Sequence, residues 1–195
     1  MNRQLSLTQY RNIDLGILAA AQTFCQVLMY FATRFWFPEQ LYVASPVAGI
    51  TALVMMRWSG FAGIHAALGG IVYVWLSGGT WRHLLAYGIG NLAAMAALPV
   101  LKAFGKERVR RDNFLTLVFG FGVQLLMQLG RAVMAVVMGF SFEAAVGFVT
   151  TDALSILLTL LIIWIVRKTD GLFEDQKHYL LRMEQERQAE RRDRF

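Results

Sequence analysis

The sequence predicts an all-α, polytopic membrane protein of six transmembrane helices with its N- and C-termini in the cytoplasm. Three observations carry this. Hydrophobic residues make up 56% of the 195 positions and the mean hydropathy is +0.46, above the near-half apolar usage of soluble domains. The apolar residues gather in blocks close to the roughly 17–25 residues that carry a helix across a hydrocarbon core. Lysine and arginine fall almost entirely in alternate breaks between those blocks, as cytoplasmic loops require.

The first block, 15–33, follows a polar lead and runs into RFWFPEQ rather than a small-residue cleavage site, so it reads as a retained span and not a signal peptide. Cys25 is the lone cysteine, which rules out an intrachain disulfide framework and a CxxC metal site and leaves a small apolar filler. The second block, 41–56, is short and contains Pro46, which predicts a broken or tilted span. Blocks 58–77 and 81–104 carry small residues four apart (Ala62 with Ala66, Ala66 with Gly70, Ala93 with Ala97), the spacing that lets helices approach closely. The same spacing joins Gly16 to Ala20 in the first block. Blocks 114–138 and 143–166 complete the six. The chain then turns hydrophilic, and Gly171 separates the membrane domain, 1–168, from a charged helical tail, 169–195.

Assigning the breaks to alternate sides puts 16 of the 19 basic residues on one side, with only Arg34 and Arg82 opposite and Arg131 inside a span. Both termini then fall on the basic side, consistent with an even number of crossings. Trp36, Tyr42, Trp75 and Trp81 lie near the outer ends, where amphipathic rings anchor, and Trp58 with Trp164 forms the inner counterpart. The net charge of +6 is explained by topology and anionic lipid headgroups, with no need for a nucleic-acid partner. In the tail, six acidic and six basic residues from 172 onward cancel. Glu184 with Arg187 and Glu190 with Arg194 are spaced for helical ion pairs, and Leu172, Phe173, Leu180 and Met183 make a partial apolar face.

No catalytic motif is present. The chain has no G-x-x-x-x-G-K-[ST] loop and no G-x-S-x-G serine. GIGNLA, 88–93, fits a dinucleotide fingerprint only formally, because it lies inside a span. His65, His83 and His178 are scattered without metal-ligand spacing, and His65 reads as an interior histidine. The sequence therefore predicts no enzyme, no cofactor and no metal site.

What it does carry is polar groups where lipid should tolerate none. A charge at the bilayer centre costs roughly 2.5–3.5 kcal/mol on insertion scales. Gln124, Gln128 and Arg131 lie within roughly 60° of one another around a helix and form one stripe. Asp152, Ser155 and Thr159 recur at i, i+3 and i+7 in the next span. At about 1.5 Å per residue, Arg131, Asp152, Asn91 and Gln26 all fall roughly 10–15 Å below the outer surface, so four spans bring polar groups to one layer. Three roles fit Arg131: snorkelling to the headgroups, an ion pair with Asp152 that fastens two helices, or a direct contact to a ligand. The glutamines and Asn91 fit interhelical hydrogen bonds as well as ligand contacts, and Ser155 and Thr159 can also bond back to their own helix.

Six spans in about 190 residues, both ends inside, a small-residue patch in DLGILAAAQTF and polar groups in the outer half resemble the substrate-binding (S) component of energy-coupling factor (ECF) transporters. The resemblance covers roughly 14–168 and rests on architecture. It implies a bacterial or archaeal cytoplasmic membrane and a small-molecule substrate, a vitamin or related heterocycle, taken from outside. It implies substrate contacts at Arg131, Asp152, Asn91, Gln128, Gln26, Gln124 and Ser155. Its partners would be an ECF transmembrane coupling subunit, docked at Gly16, Ala19, Ala20 and Thr23, and two ATPase subunits that hydrolyse ATP. The family's helix-one contact is typically A-x-x-x-A, where this chain has Gly16-x-x-x-Ala20 and Ala19-x-x-x-Thr23, and its first connection, RFWFPEQLYVASP, is short. The competing reading is a membrane scaffold, morphogenetic protein or sensor acting through the tail.

Overall fold

The computed structural model describes residues 6–39, 43–169 and 171–192, and the described residues form helices without any strand. Tyr42 lies outside them, as do the side chains of the expected tail ion pairs. Helix α1 (Leu7–Trp36) starts well before the apolar block at 15, because a capping box sets its beginning. The Ser6 hydroxyl accepts from Gln9 N–H and the Gln9 side chain accepts from Ser6 N–H.

Helix α2 (Val47–Trp58) follows Pro46, whose missing N–H costs nothing at a helix start. All 12 of its residues are buried. Ser59 then adopts φ 53°, and a 3₁₀ turn, Ser59–Phe61, leads into α3 (Ala62–Ser77), which returns alongside α2. The reversal is direct to verify: a Cβ on Gly69 would land on the Val47 side chain, positions about 33 Å apart in an unbroken helix. The expected second span is thereby corrected. The helix lies at 47–58 rather than 41–56, and 12 residues make about 18 Å of helix, short of a hydrocarbon core of roughly 30 Å.

Gly78 ends α3 in the left-handed region, and Thr80 caps α4 (Trp81–Gly88) with His83. The fourth block keeps its expected ends but is not one α-helix: α4 passes into a 3₁₀ segment, Gly90–Ala96, and then α5 (Ala97–Phe104). Pro99 removes the N–H that would bond to Met95, which favours the tighter winding before it. After the short α6 (Lys106–Arg111), Asp112 caps α7 (Asn113–Val137) by accepting from Phe114 and Leu115 N–H. The sixth block is also interrupted. Its first part, α8 (Phe142–Thr150), stops at Thr151–Asp152 and α9 (Ala153–Arg167) resumes. The tail helix is α10 (Gln176–Arg192).

Helix α2 is the centre of the molecule, walled by α1, α3, α7 and α9. Val54, Met55 and Met56 pack there with Val123, Met127 and Ile163, all fully buried. The perimeter reverses the pattern of a water-soluble protein. Phe24, Phe31, Phe35, Trp36, Trp75, Trp81 and Phe142 are exposed, while Gln22, Gln26, Asn91, Ser155 and Thr159 have no exposure at all. By length and hydropathy, five stretches suit a membrane crossing: Leu7–Trp36, Val47–Ser77 (the α2–α3 hairpin), Trp81–Phe104, Asn113–Val137 and Phe142–Arg167. The chain is thus an all-helical protein compatible with multi-pass insertion.

At the basic end Arg57, expected as a loop charge, and Trp58, expected as an interface anchor, both turn inward. Arg57 is buried: its guanidinium donates to both Asp14 carboxylate oxygens, at 2.9 and 2.7 Å, and to the carbonyls of Gly171 and Leu172, each at 2.9 Å. Trp58 is buried as well and donates to Asp14 at 2.5 Å, so it is no membrane-interface anchor. The tail is fastened to this cluster through buried Phe173 and Gln176, the latter accepting from the Tyr10 hydroxyl.

Candidate functional site

Three backbone interruptions lie at one level: the start of α2 at Ser45–Pro46, the 3₁₀ segment around Asn91, and the α8–α9 break at Asp152. Breaks of this kind in apolar surroundings are tolerated where they are buried in protein or line a cavity. Here they are stitched together. Val43 N–H donates to the Thr151 carbonyl at 3.1 Å, and Ser45 N–H donates to the Ser155 hydroxyl at 2.8 Å.

Asp152 is the hub. Its Oδ2 accepts from Arg131 Nη1 at 2.7 Å and from Gln124 Nε2 at 3.0 Å, and its Oδ1 accepts from the Ser155 hydroxyl. Gln128 donates to its backbone carbonyl at 3.4 Å. Arg131 Nε donates to Asn91 Oδ1 at 2.6 Å, and Asn91 Nδ2 donates to the Ala66 carbonyl at 2.9 Å. Gln124 Oε1 accepts from Thr159, while Gln26 Oε1 accepts from the Ser45 hydroxyl at 2.7 Å. Arg131 and Asp152 are only 3% and 2% exposed, so the pair is shielded from water. Such a pair is stabilising only when the remaining donors and acceptors are met, and those of Asp152 are.

All seven residues assigned to the substrate in the sequence, Arg131, Asp152, Asn91, Gln128, Gln26, Gln124 and Ser155, therefore belong to one connected network. Of the three roles open to Arg131, snorkelling is excluded by its burial and the ion pair is present. Close backbone approach makes the network reachable: a Cβ on Gly130 would collide with the Gly90 carbonyl and Ala93, and one on Gly70 would lie 2.5 Å from the Tyr87 carbonyl oxygen. Neither Gly90–Gly130 contact residue stood out in the sequence, since their pairing is across helices and not along one.

An aromatic wall flanks the charge. The Arg131 guanidinium lies over the Tyr87 ring at 5.0 Å, and Tyr87 packs on Tyr73 at 4.8 Å and Phe148 at 5.3 Å. Val43, Ser45, Val47, Gly69, Gly70, Tyr73, Tyr87, Asn91 and Arg131 line a narrow crevice with no room for a water molecule. Small-molecule pockets measure roughly 300–1,000 Å³, so any organic occupant requires the segment at 43–47 or the aromatic wall to move outward. Sequence reasoning missed Ser45, Gln22, Tyr73 and Tyr87. Gln22 was detectable, because it lies one turn from Gln26 on the same face of α1.

The expected docking residues lie on α1. Gly16 and Ala20 are exposed, and a Cβ on Gly16 would meet nothing within 4 Å. Ala19 and Thr23 are half-buried, with the Thr23 hydroxyl donating to the Ala19 carbonyl in its own helix. His65 is buried, its Nε2 at 3.2 Å from the Leu15 carbonyl and its Nδ1 without a partner, so it is only half satisfied. Among the described residues no group of three or more His, Cys, Asp or Glu is arranged to hold a metal. No family model matches the chain, nor does any curated protein or solved structure.

Proposed function

We propose that this chain is the membrane-embedded substrate-binding subunit of an ECF-type uptake transporter, capturing a vitamin-like small molecule at the polar layer. One observation carries the reading: two interrupted helices and the start of α2 converge on a buried polar network beside a narrow aromatic-walled crevice. Discontinuous helices meeting at depth are how membrane transporters expose backbone and side-chain polar groups to a solute. In this reading the chain crosses six times, with α2 in the second passage, both termini cytoplasmic, and the layer facing outward. The exposed Gly16 and Ala20 face of α1 offers a smooth contact for a membrane coupling subunit, and ATP hydrolysis belongs to two further chains.

The test is purification of the intact chain from its native membrane under mild detergent, followed by mass spectrometry of retained small molecules and co-purifying proteins. Retention of a stoichiometric organic solute together with an ATPase pair is expected. Finding neither defeats the proposal. The scaffold reading instead predicts that truncation is the damaging change, made after Gln176 because Phe173 and Gln176 are buried against the bundle.

A further inference from the structure

The polar interior is satisfied unevenly. Five buried side-chain atoms of the described residues lack a hydrogen-bond partner, Arg11 Nε, Gln22 Oε1, Gln26 Nε2, Thr51 Oγ1 and His65 Nδ1, and all five lie on α1, α2 or α3. The Arg131 and Asp152 side of the layer contributes none. An unmet buried polar group costs about 1–3 kcal/mol, so this spare capacity is costly unless something uses it.

Two of the five belong to side chains that stand directly behind residues lining the crevice. Gln22 Nε2 lies 2.5 Å from where a Gly69 Cβ would stand, and Gly69 lines the crevice. Gln26 is bonded to Ser45, which also lines it. Their orientations are set by their neighbours. Gln22 Nε2 donates to the His65 carbonyl at 2.7 Å, and a carbonyl can only accept, so the unused atom is the amide oxygen. Ser45 Oγ accepts from Val47 N–H and passes its own proton to Gln26 Oε1, which leaves Gln26 with a free NH₂. One turn of α1 thus presents one free acceptor and one free donor, both fully buried. The charge that lines the crevice is already matched, Arg131 with Asp152. A charged occupant would bring an uncompensated charge into this interior.

We propose that Gln22 and Gln26 form the recognition edge for the substrate, and that the substrate is an uncharged molecule bearing an amide or lactam edge, whose N–H meets Gln22 Oε1 and whose carbonyl meets Gln26 Nε2. The Arg131–Asp152 pair then clasps the helices behind the site. The inference rests on the reading of the chain as a solute-binding subunit.

The test uses the full chain in lipid nanodiscs and three probes sharing one ring: neutral nicotinamide, anionic nicotinate and cationic 3-picolylamine, titrated by ligand-observed NMR to about 10 mM, a range suited to fragments. Nicotinamide binding is expected, with both charged analogues roughly tenfold weaker or worse. Gln22→Leu and Gln26→Leu each weaken nicotinamide roughly tenfold. Gln26→Glu reverses the preference toward 3-picolylamine, an effect that a packing role would not produce. Either charged probe binding the wild type as well as nicotinamide does overturns the proposal, and so does no binding by any of the three or unchanged affinity in both leucine variants. The wild-type comparison needs no variant to fold. A charged solute retained by the purified chain refutes this inference and leaves the uptake reading standing, whereas no retained solute and no ATPase pair removes that reading itself.

Discussion

Replacing Asp152 by asparagine is the sharpest probe of the buried network. The substitution keeps shape and removes one charge, leaving Arg131, 3% exposed, without its counter-ion. It also replaces one of two accepting oxygens by a donor, so at least one of the bonds from Arg131, Gln124 and Ser155 is lost. Breaking a buried pair from one side costs about 3–5 kcal/mol, because the partner remains buried and uncompensated. Arg131→Gln should cost a similar amount. The double variant removes both charges together and should be less damaging than the sum of the two by about 2 kcal/mol or more, within the range of couplings for contacting groups. The assay is reversible denaturation of the purified chain in mixed micelles, or thermal unfolding with the same four proteins. A loss below about 1 kcal/mol in Asp152→Asn, or strict additivity in the double variant, would refute the network as the element holding α7, α9 and the 3₁₀ segment together.

Further outcomes follow from contacts described above. Gly130→Ala puts a methyl group against the Gly90 carbonyl and Ala93, and should destabilise the chain by about 1–3 kcal/mol, read as a lowered melting temperature. Arg57→Gln should release the segment at 171–176, which loses two guanidinium bonds, and speed limited proteolysis there while the bundle stays intact. On acidification, contacts of α6 should weaken in two places. Burial opposes ionisation of Asp175, but the Lys106 hydrogen bond and charge outweigh it and hold the pKa below the ordinary aspartate value. Hydrogen bonds from Arg110 and Arg111 bring Glu107 down to about 2 despite some burial. Folded pKa values below the unfolded ones mean that both contributions are present above the ordinary carboxylate range and lost as pH falls through the depressed values. The protection of amides 106–111 relative to the intrinsic exchange rate at each pH should therefore fall between about pH 4.5 and 2, and Lys106→Met should remove the part that depends on Asp175.

The polar layer was legible in the sequence because two regularities sufficed. Helical spacing put Gln124, Gln128 and Arg131 on one stripe and Asp152 with Ser155 on another, and a fixed rise per residue put Asn91 and Gln26 at the same depth. What escaped depends on backbone that departs from a helix. The reversal itself falls within two residues of the break at Arg57 between the second and third blocks, but that a non-glycine residue, Ser59, makes it at φ 53° has no mark in the hydropathy. Ser45 joins the network through its backbone N–H as well as its hydroxyl, and no residue pattern reports a backbone contact. Arg57 was counted as a loop charge because its partner Asp14 is 43 residues away. Gly16 and Ala20, expected from their spacing as a docking contact, are exposed on α1 in common with Ile13, Ile17, Phe24 and Leu28.

The encasement of α2 has a consequence for biogenesis. Its walls include α7 and α9, which leave the ribosome long after it does. At about 18 Å it is too short to settle across a bilayer unaided, so it has to wait beside α3, incompletely sheltered, until the last hydrophobic segment is synthesised. Interrupting translation before residue 153 should therefore leave α2 accessible to crosslinking within the insertion machinery, while α1 has already partitioned into lipid.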